Sequence, residues 1–200
     1  MTFCSPKYRP DNYPYEKYVV PYVNDFSLVN LTDEQLLECK KLAKKRAFAK
    51  ENSNEIHHKK DGGNEFKRNL TGLKAEMAVE TLTGIGIVDR TIGNSKYYDV
   101  PDITEYNIGI KAVEYGSYPV IFKSNSYPQI ICITSKKDEH TVAVCGLATP
   151  QMLNTYQTEE LIKSYNLFKK GSKTCFFGFE KLIPLNKENS EKILLKYGKK

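Results

Sequence analysis

The chain has 200 residues, 40% of them hydrophobic, which is enough for one sizeable core and hardly enough for two. A net charge of +6 and a pI near 8.9 favour a polyanionic partner without identifying one, and equally suit a soluble protein that is simply basic. No apolar run approaches the roughly 18 residues of a membrane span, the first residues carry no signal-peptide core, and the five cysteines show neither CxxC nor Cys/His spacing, so a reducing, cytoplasmic setting without membrane contact is expected.

Residues 1–26 interleave Tyr8, Tyr13, Tyr15, Tyr18 and Tyr22 with Pro6, Pro10, Pro14 and Pro21. Prolines at this density disfavour a helix and predict an extended arm laid on the domain through its rings, with base stacking as the alternative use. Thr32 and Gln35 then have the spacing of a capping box, and Asp33 and Glu34 suit the positive end of a helix dipole. Leu36, Cys39, Ala43 and Ala47 form the apolar stripe of this first helix, while Lys40, Lys41, Lys44, Lys45 and Arg46 cover the remainder. That basic side reads either as a solvated face or as a face for nucleic-acid phosphates. Residues 50–65 have almost no apolar content and include Gly62-Gly63, which predicts a loop. Within it, His57 and His58 are adjacent, so they diverge, and exposure is favoured over metal binding.

A second helix is expected from Phe66 to Thr83, with Leu70, Leu73, Met77 and Ala78 on its buried side. Glu76 lies directly beside that stripe, where a carboxylate needs a cation or a donor because desolvating its charge is costly. Gly84 and Gly86 end this helix. Strands are predicted at Ile85 to Val88, Ile108 to Val113, Val120 to Phe122, Ile130 to Thr134, Thr141 to Cys145 and Cys175 to Glu180. Lys136 to Glu139 makes a hairpin turn, Thr158 to Phe168 reads as a helix capped by Thr158 and burying Leu161, Tyr165 and Phe168, and the C-terminal NKENSEKILLKYGKK as a short helix before a basic tail. The order implies an α/β (α+β) domain, a mixed central β-sheet flanked by helices, over residues 27–185, with the Tyr/Pro-rich arm before it and a basic tail over residues 186–200.

Cleaving a phosphodiester requires a nucleophilic water, stabilisation of charge on phosphorus and help for the departing oxygen. A divalent cation on carboxylates supplies much of this, and a nearby lysine can orient or deprotonate the water. Asp102, Glu76 and Lys111 are residues of the right types. GLKAEMAV (Gly72 to Val79), Pro101-Asp102 and Ile110-Lys111 occur in that order within forty residues. Together they resemble the PD-(D/E)xK nuclease superfamily, over about Arg68 to Leu153. The resemblance implies a restriction-endonuclease-like core and Mg²⁺ or Mn²⁺ as cofactor. It implies Asp102, Glu76 and Lys111 as catalytic residues, and Asp102, Glu76, Ile110 and Glu114 as candidate metal ligands.

Gly109 departs from the family pattern, which has an acid two residues before the lysine. Positions 109 and 111 share a strand face, so glycine vacates a ligand position beside Lys111. Glu114 is three residues beyond Lys111 and faces the other way unless a β-bulge turns it. The expected function is a Mg²⁺-dependent nuclease acting on nucleic acid, DNA before RNA, in the host cytoplasm if phage-encoded. The alternative is a catalytically inert module of the same fold that holds nucleic acid or a host protein, for example in phage counter-defence. Homodimerisation is left open. The local hardware of P-loop nucleotide hydrolases, serine hydrolases, zinc proteases and dinucleotide enzymes is missing from the sequence.

Overall fold

The computed structural model describes residues 14–48, 65–90, 101–164, 168–169 and 171–198, together with the backbone of residues 49–52. His57, His58 and the loop around them lie outside the described residues, as do the first thirteen residues and Asp99.

Pro14 precedes a single helical turn, α1 (Tyr15–Tyr18), and a 3₁₀ segment follows over Val20–Asp25. The expected extended arm is therefore helical in its described part. Proline blocks a helix only from its interior: Pro14 stands at the N-cap and Pro21 in the first turn, where an N–H has no intrahelical partner. Tyr15 is fully buried and meets Tyr115 and Tyr118 edge-on at 5.0 and 5.6 Å, a packing role.

The central sheet has four strands, β1 (Ser27–Asn30), β2 (Gly109–Glu114), β4 (Gln129–Thr134) and β5 (Thr141–Ala148), in the order β1-β5-β4-β2. It is mixed: β2 runs parallel to β4, and the other pairs are antiparallel. The hairpin between β4 and β5 is as expected. β5 carries a bulge opposite Ile131/Cys132, which leaves Cys145 without a facing residue. Gly146 beside it has φ +137°, and a Cβ there would lie 2.5 Å from the Ile183 carbonyl oxygen, so a larger residue is excluded.

Two long helices cover one face of this sheet, α2 (Asp33–Asn52) and α3 (Glu65–Thr83). The capping box at the start of α2 forms in both directions, Gln35 N–H to Thr32 Oγ1 at 3.2 Å and Thr32 N–H to Gln35 Oε1 at 2.9 Å. Cys39, Ala43, Leu73, Met77 and Val79 pack against Ile130, Cys132, Val142 and Val144. The opposite face is covered differently. A small antiparallel sheet packs there, formed by β3 (Val120–Phe122), β7 (Lys173–Phe176) and β6 (Gln157–Thr158) in the order β3-β7-β6. With it lie α1 and the short helix α4 (Pro150–Thr155), around Ile131, Ile133, Phe176 and Phe179. The final helix, α5 (Ser190–Tyr197), buries Leu194 in the first of these cores.

Three expected elements take other forms. Ile85 to Val88 forms no strand, because the N–H groups of Ile87 and Val88 donate to Glu80 Oε2 (2.7 and 2.9 Å) rather than to a neighbouring strand. Thr158 ends β6 instead of capping a helix: Gln157 and Thr158 pair with Phe176 and Cys175, and Thr158 Oγ1 accepts from Glu160 N–H in a local turn. Leu161 is buried as expected but Phe168 is half exposed. Beyond Phe176 the chain leaves the sheet and makes a 3₁₀ turn over Phe179–Lys181.

Candidate functional site

The outer edge of β2 places the residues picked out by the sequence. Gly109 N–H donates to Pro128 O (3.0 Å) and Tyr115 N–H to Thr134 O (2.9 Å), so the odd-numbered amides of β2 face β4. The amide and carbonyl of Ile110 consequently point outward, along the edge. There Asp102 reaches in. Its Oδ2 accepts the Ile110 N–H at 2.5 Å, and a tight connection with mutual Ile103–Ile108 backbone bonds holds the carboxylate at that spot. Asn107 completes this connection in the left-handed conformation, φ 54°.

Asp102 retains accessible surface, yet protein surrounds its carboxyl closely enough that burial raises its pKa. The Ile110 amide, Lys111 and Arg46 lower it, but not enough to reverse the direction. Glu76 approaches from α3. Burial raises its carboxyl too; Arg46 offsets this while Asp102 and Asp89 add to it. The Arg46 guanidinium stands 3.5 Å from Glu76 Oε1 and donates to the Asp89 carbonyl at 3.1 Å. Glu76 thus has the cation its position demands. Lys111 lies on the other side of β2, on the face it shares with Ile131 and the small sheet. Burial depresses its amine, Asp102 partly restores it, and Lys173 of β7 depresses it further. Asp102 is therefore the centre of the group, with Glu76 and Arg46 on its helix side and Lys111 on its sheet side.

Gly109 is filled space rather than a gap. A Cβ there would come within 2.9 Å of Tyr127 Cε2 and 3.6 Å of both Asp102 Oδ2 and Gln129 Cγ. A side chain at position 109 would thus have touched Asp102, and the Tyr127 ring occupies its place. Glu114 does not replace it. β2 keeps an unbroken register with β4 from Gly109 to Glu114, so no bulge turns Glu114 round, and it forms an ion pair with Lys67 of α3 at 3.0 Å. Four residues along a strand separate it from Ile110, roughly 13 Å.

Among the described residues, no three His, Cys, Asp or Glu side chains converge as a metal-binding group. At the strand edge the Asp102 carboxylate stands with the outward-pointing backbone of Ile110. A Mg²⁺ site needs only one or two carboxylates, because this ion keeps several waters. Gln129, the register partner of Gly109, is 3% exposed, and its Oε1 is buried without a donor. Gln129 Cγ and Asp102 Oδ2 would each lie 3.6 Å from a Cβ on Gly109, so the residue with the orphaned oxygen flanks the same spot as the carboxylate, which suits a cation.

Of the five basic residues singled out on α2, Lys40 pairs with Glu139 at 2.5 Å and Arg46 with Glu76. Their charges are engaged within the fold. Lys41, Lys44 and Lys45 are exposed and form no ion pair among the described residues. Sequence reasoning passed over Tyr127 and Gln129. A polar residue opening the otherwise apolar strand QIICIT was the available signal for Gln129; nothing in sequence tied Tyr127 to Gly109. Searches against protein-family models, curated proteins and solved structures gave no match. No described helix is long and apolar enough to cross a membrane.

Proposed function

We propose that this chain is a Mg²⁺- or Mn²⁺-dependent nuclease of the PD-(D/E)xK type, hydrolysing phosphodiester bonds in nucleic acid, DNA first. The observation that carries this reading is Asp102, anchored on the amide of Ile110 at a sheet edge and electrostatically coupled to Glu76 on one side and Lys111 on the other. A divalent cation there would polarise the phosphate and acidify a bound water. Asp102 and the Ile110 carbonyl would hold it, with Glu76 contributing directly or through water. Lys111 is suited to take a proton from the attacking water, since its depressed amine is nearer to the working pH than an ordinary lysine. Lys41, Lys44 and Lys45 offer phosphate contacts at a distance from the chemistry.

Incubating purified protein with DNA and with RNA in Mg²⁺ and in Mn²⁺ tests the reading. Cleavage should fall by roughly a hundredfold or more in Asp102→Ala and in Lys111→Ala. Cleavage that survives both substitutions would sink it. The occupation of the position-109 cradle by Tyr127 favours a second reading, an inert module that keeps the fold and binds nucleic acid or a host protein. Failure to cleave, together with saturable binding of nucleic acid and a steep salt dependence, would select the nucleic-acid form of that module. Tight protein binding with little salt dependence would select the other.

A further inference from the structure

We infer that Gln129 supplies, through its side-chain oxygen, the oxygen donor that a carboxylate at position 109 would otherwise bring to a divalent cation at Asp102. The inference rests on the nuclease reading and assigns one more residue to its site.

Position sets the first part of the case. Gly109 and Gln129 are direct register partners in the parallel pair of β2 and β4, so their side-chain directions share one face of the sheet. A Cβ on Gly109 would touch Asp102 Oδ2 and Gln129 Cγ at the same distance, 3.6 Å. The missing family ligand would therefore stand between the two. The Tyr127 ring at 2.9 Å occupies that volume and would have to shift to admit a side chain. On the adjacent strand, Gln129 is the polar residue opposite this position.

The orientation of the amide sets the second part. Asn125 Nδ2 donates to the Phe122 carbonyl at 2.6 Å, which fixes Asn125 Oδ1 as an acceptor. Asn154 closes the same network: its Oδ1 accepts from Asn125 N–H (3.1 Å) and its Nδ2 donates to the Asn125 carbonyl (3.2 Å). Gln129 must then present its NH₂ group to Asn125 Oδ1, and does so at 3.5 Å. Its oxygen is left over. A buried acceptor without a donor is costly, and native chains keep few of them. Amide oxygens are ordinary ligands for hard cations.

Mn²⁺ titration calorimetry on the full chain, with Mn²⁺ electron paramagnetic resonance as a second readout, tests this without reference to cleavage. The parent should bind Mn²⁺ saturably and Asp102→Asn should not. Gln129→Met, which keeps the volume and removes the oxygen, should weaken binding about tenfold or more. Gln129→Glu should tighten it by about as much, by adding charge to the donor. If Gln129→Met binds as tightly as the parent while Asp102→Asn does not bind, the role of Gln129 is overturned and the nuclease reading stands. If circular dichroism shows that Gln129→Met is unfolded, Gln129→Glu decides, and affinity no tighter than the parent's overturns the inference. A parent that binds no Mn²⁺ removes the metal-dependent reading and this inference with it.

Discussion

On the helix face of the central sheet, Glu76 meets Arg46, Glu80 meets Arg90 and Glu114 meets Lys67; on the opposite face, Lys111 has no carboxylate within ion-pair distance among the described residues, and the oxygen of Gln129 has no donor. Both faces are apolar over most of their area, so the difference is not one of general polarity. Buried charge that is compensated supports the fold; buried polarity left uncompensated works against it, and persists where another use exists. Lys74 and Asn69 Nδ2 of α3 are also buried with no ion pair or hydrogen bond among the described residues, so it is the carboxylates of the helix face that are compensated; these read as scaffold, and the rim between Asp102, Lys111 and Gln129 as the candidate site.

Glu80→Ala should break the scaffold side most severely. Glu80 Oε2 accepts from the amides of Ile87 and Val88, and its carboxylate holds Arg90 at 2.7 Å while Arg90 also reaches Glu38 at 2.9 Å. Removing it orphans two N–H groups and should cost about 2 kcal/mol or more in urea unfolding. Burial pushes the Glu80 carboxyl up, but Arg90 and the two amides outweigh it and hold it below the usual glutamate range. A depressed carboxyl stabilises the fold above its unfolded pKa, near about 4.3, and loses that contribution as pH falls through the folded value. The gap between parent and variant should therefore shrink below about pH 4. A gap that grows with acid would show that Glu80 is not the compensated group described.

Lys111→Met should have the opposite sign. Replacing a half-buried, unpaired ammonium by a methionine of similar length should raise stability by about 1 kcal/mol, while Arg46→Met, which strands Glu76, should lower it. A lysine whose folded pKa is depressed carries its cost in full below that pKa, and sheds it as pH rises toward the unfolded value of about 10.4. The advantage of Lys111→Met should hence be greatest near neutrality and fade as the pH approaches 10. If the variant is instead less stable than the parent, Lys111 is structural and the contrast between the faces fails.

The helices and the mixed sheet were legible because periodicity reports burial. Cys39 and Ala43 on α2, the capping box at Thr32, and the β-branched apolar run VAVC each follow from local pattern. The charged cluster that the fold assembles around Asp102 was legible in residue type at Asp102, Glu76 and Lys111. Period two also anticipated that Glu114 would point away from Lys111, and the structure pairs it with Lys67 of α3. What did not show was every feature that depends on a partner distant in sequence. The amides of Ile87 and Val88 find a glutamate instead of a strand, and Thr158 finds β7 instead of a helix. Gly109 looked vacant because Tyr127 is eighteen positions away and reaches it only through the fold. The α2 cations looked unmatched because Glu139 and Glu76 lie on other elements.

Thr32→Ala is the smallest of these tests and the one that separates the two faces most cleanly. Thr32 Oγ1 accepts the Gln35 amide, and the Gln35 side chain returns the bond and also donates to Thr81 of α3 at 3.0 Å. Losing the hydroxyl should cost about 1 kcal/mol, the usual value of an N-cap. Fourteen residues of helix, roughly 21 Å, separate this cap from Arg46, so the effect should not travel to Asp102. Stability should drop while any affinity for Mn²⁺ stays at the parent's value. If Mn²⁺ binding weakens along with the fold, α2 positions the site through Arg46 and Glu76, and the helix face belongs to the chemistry as well as to the scaffold.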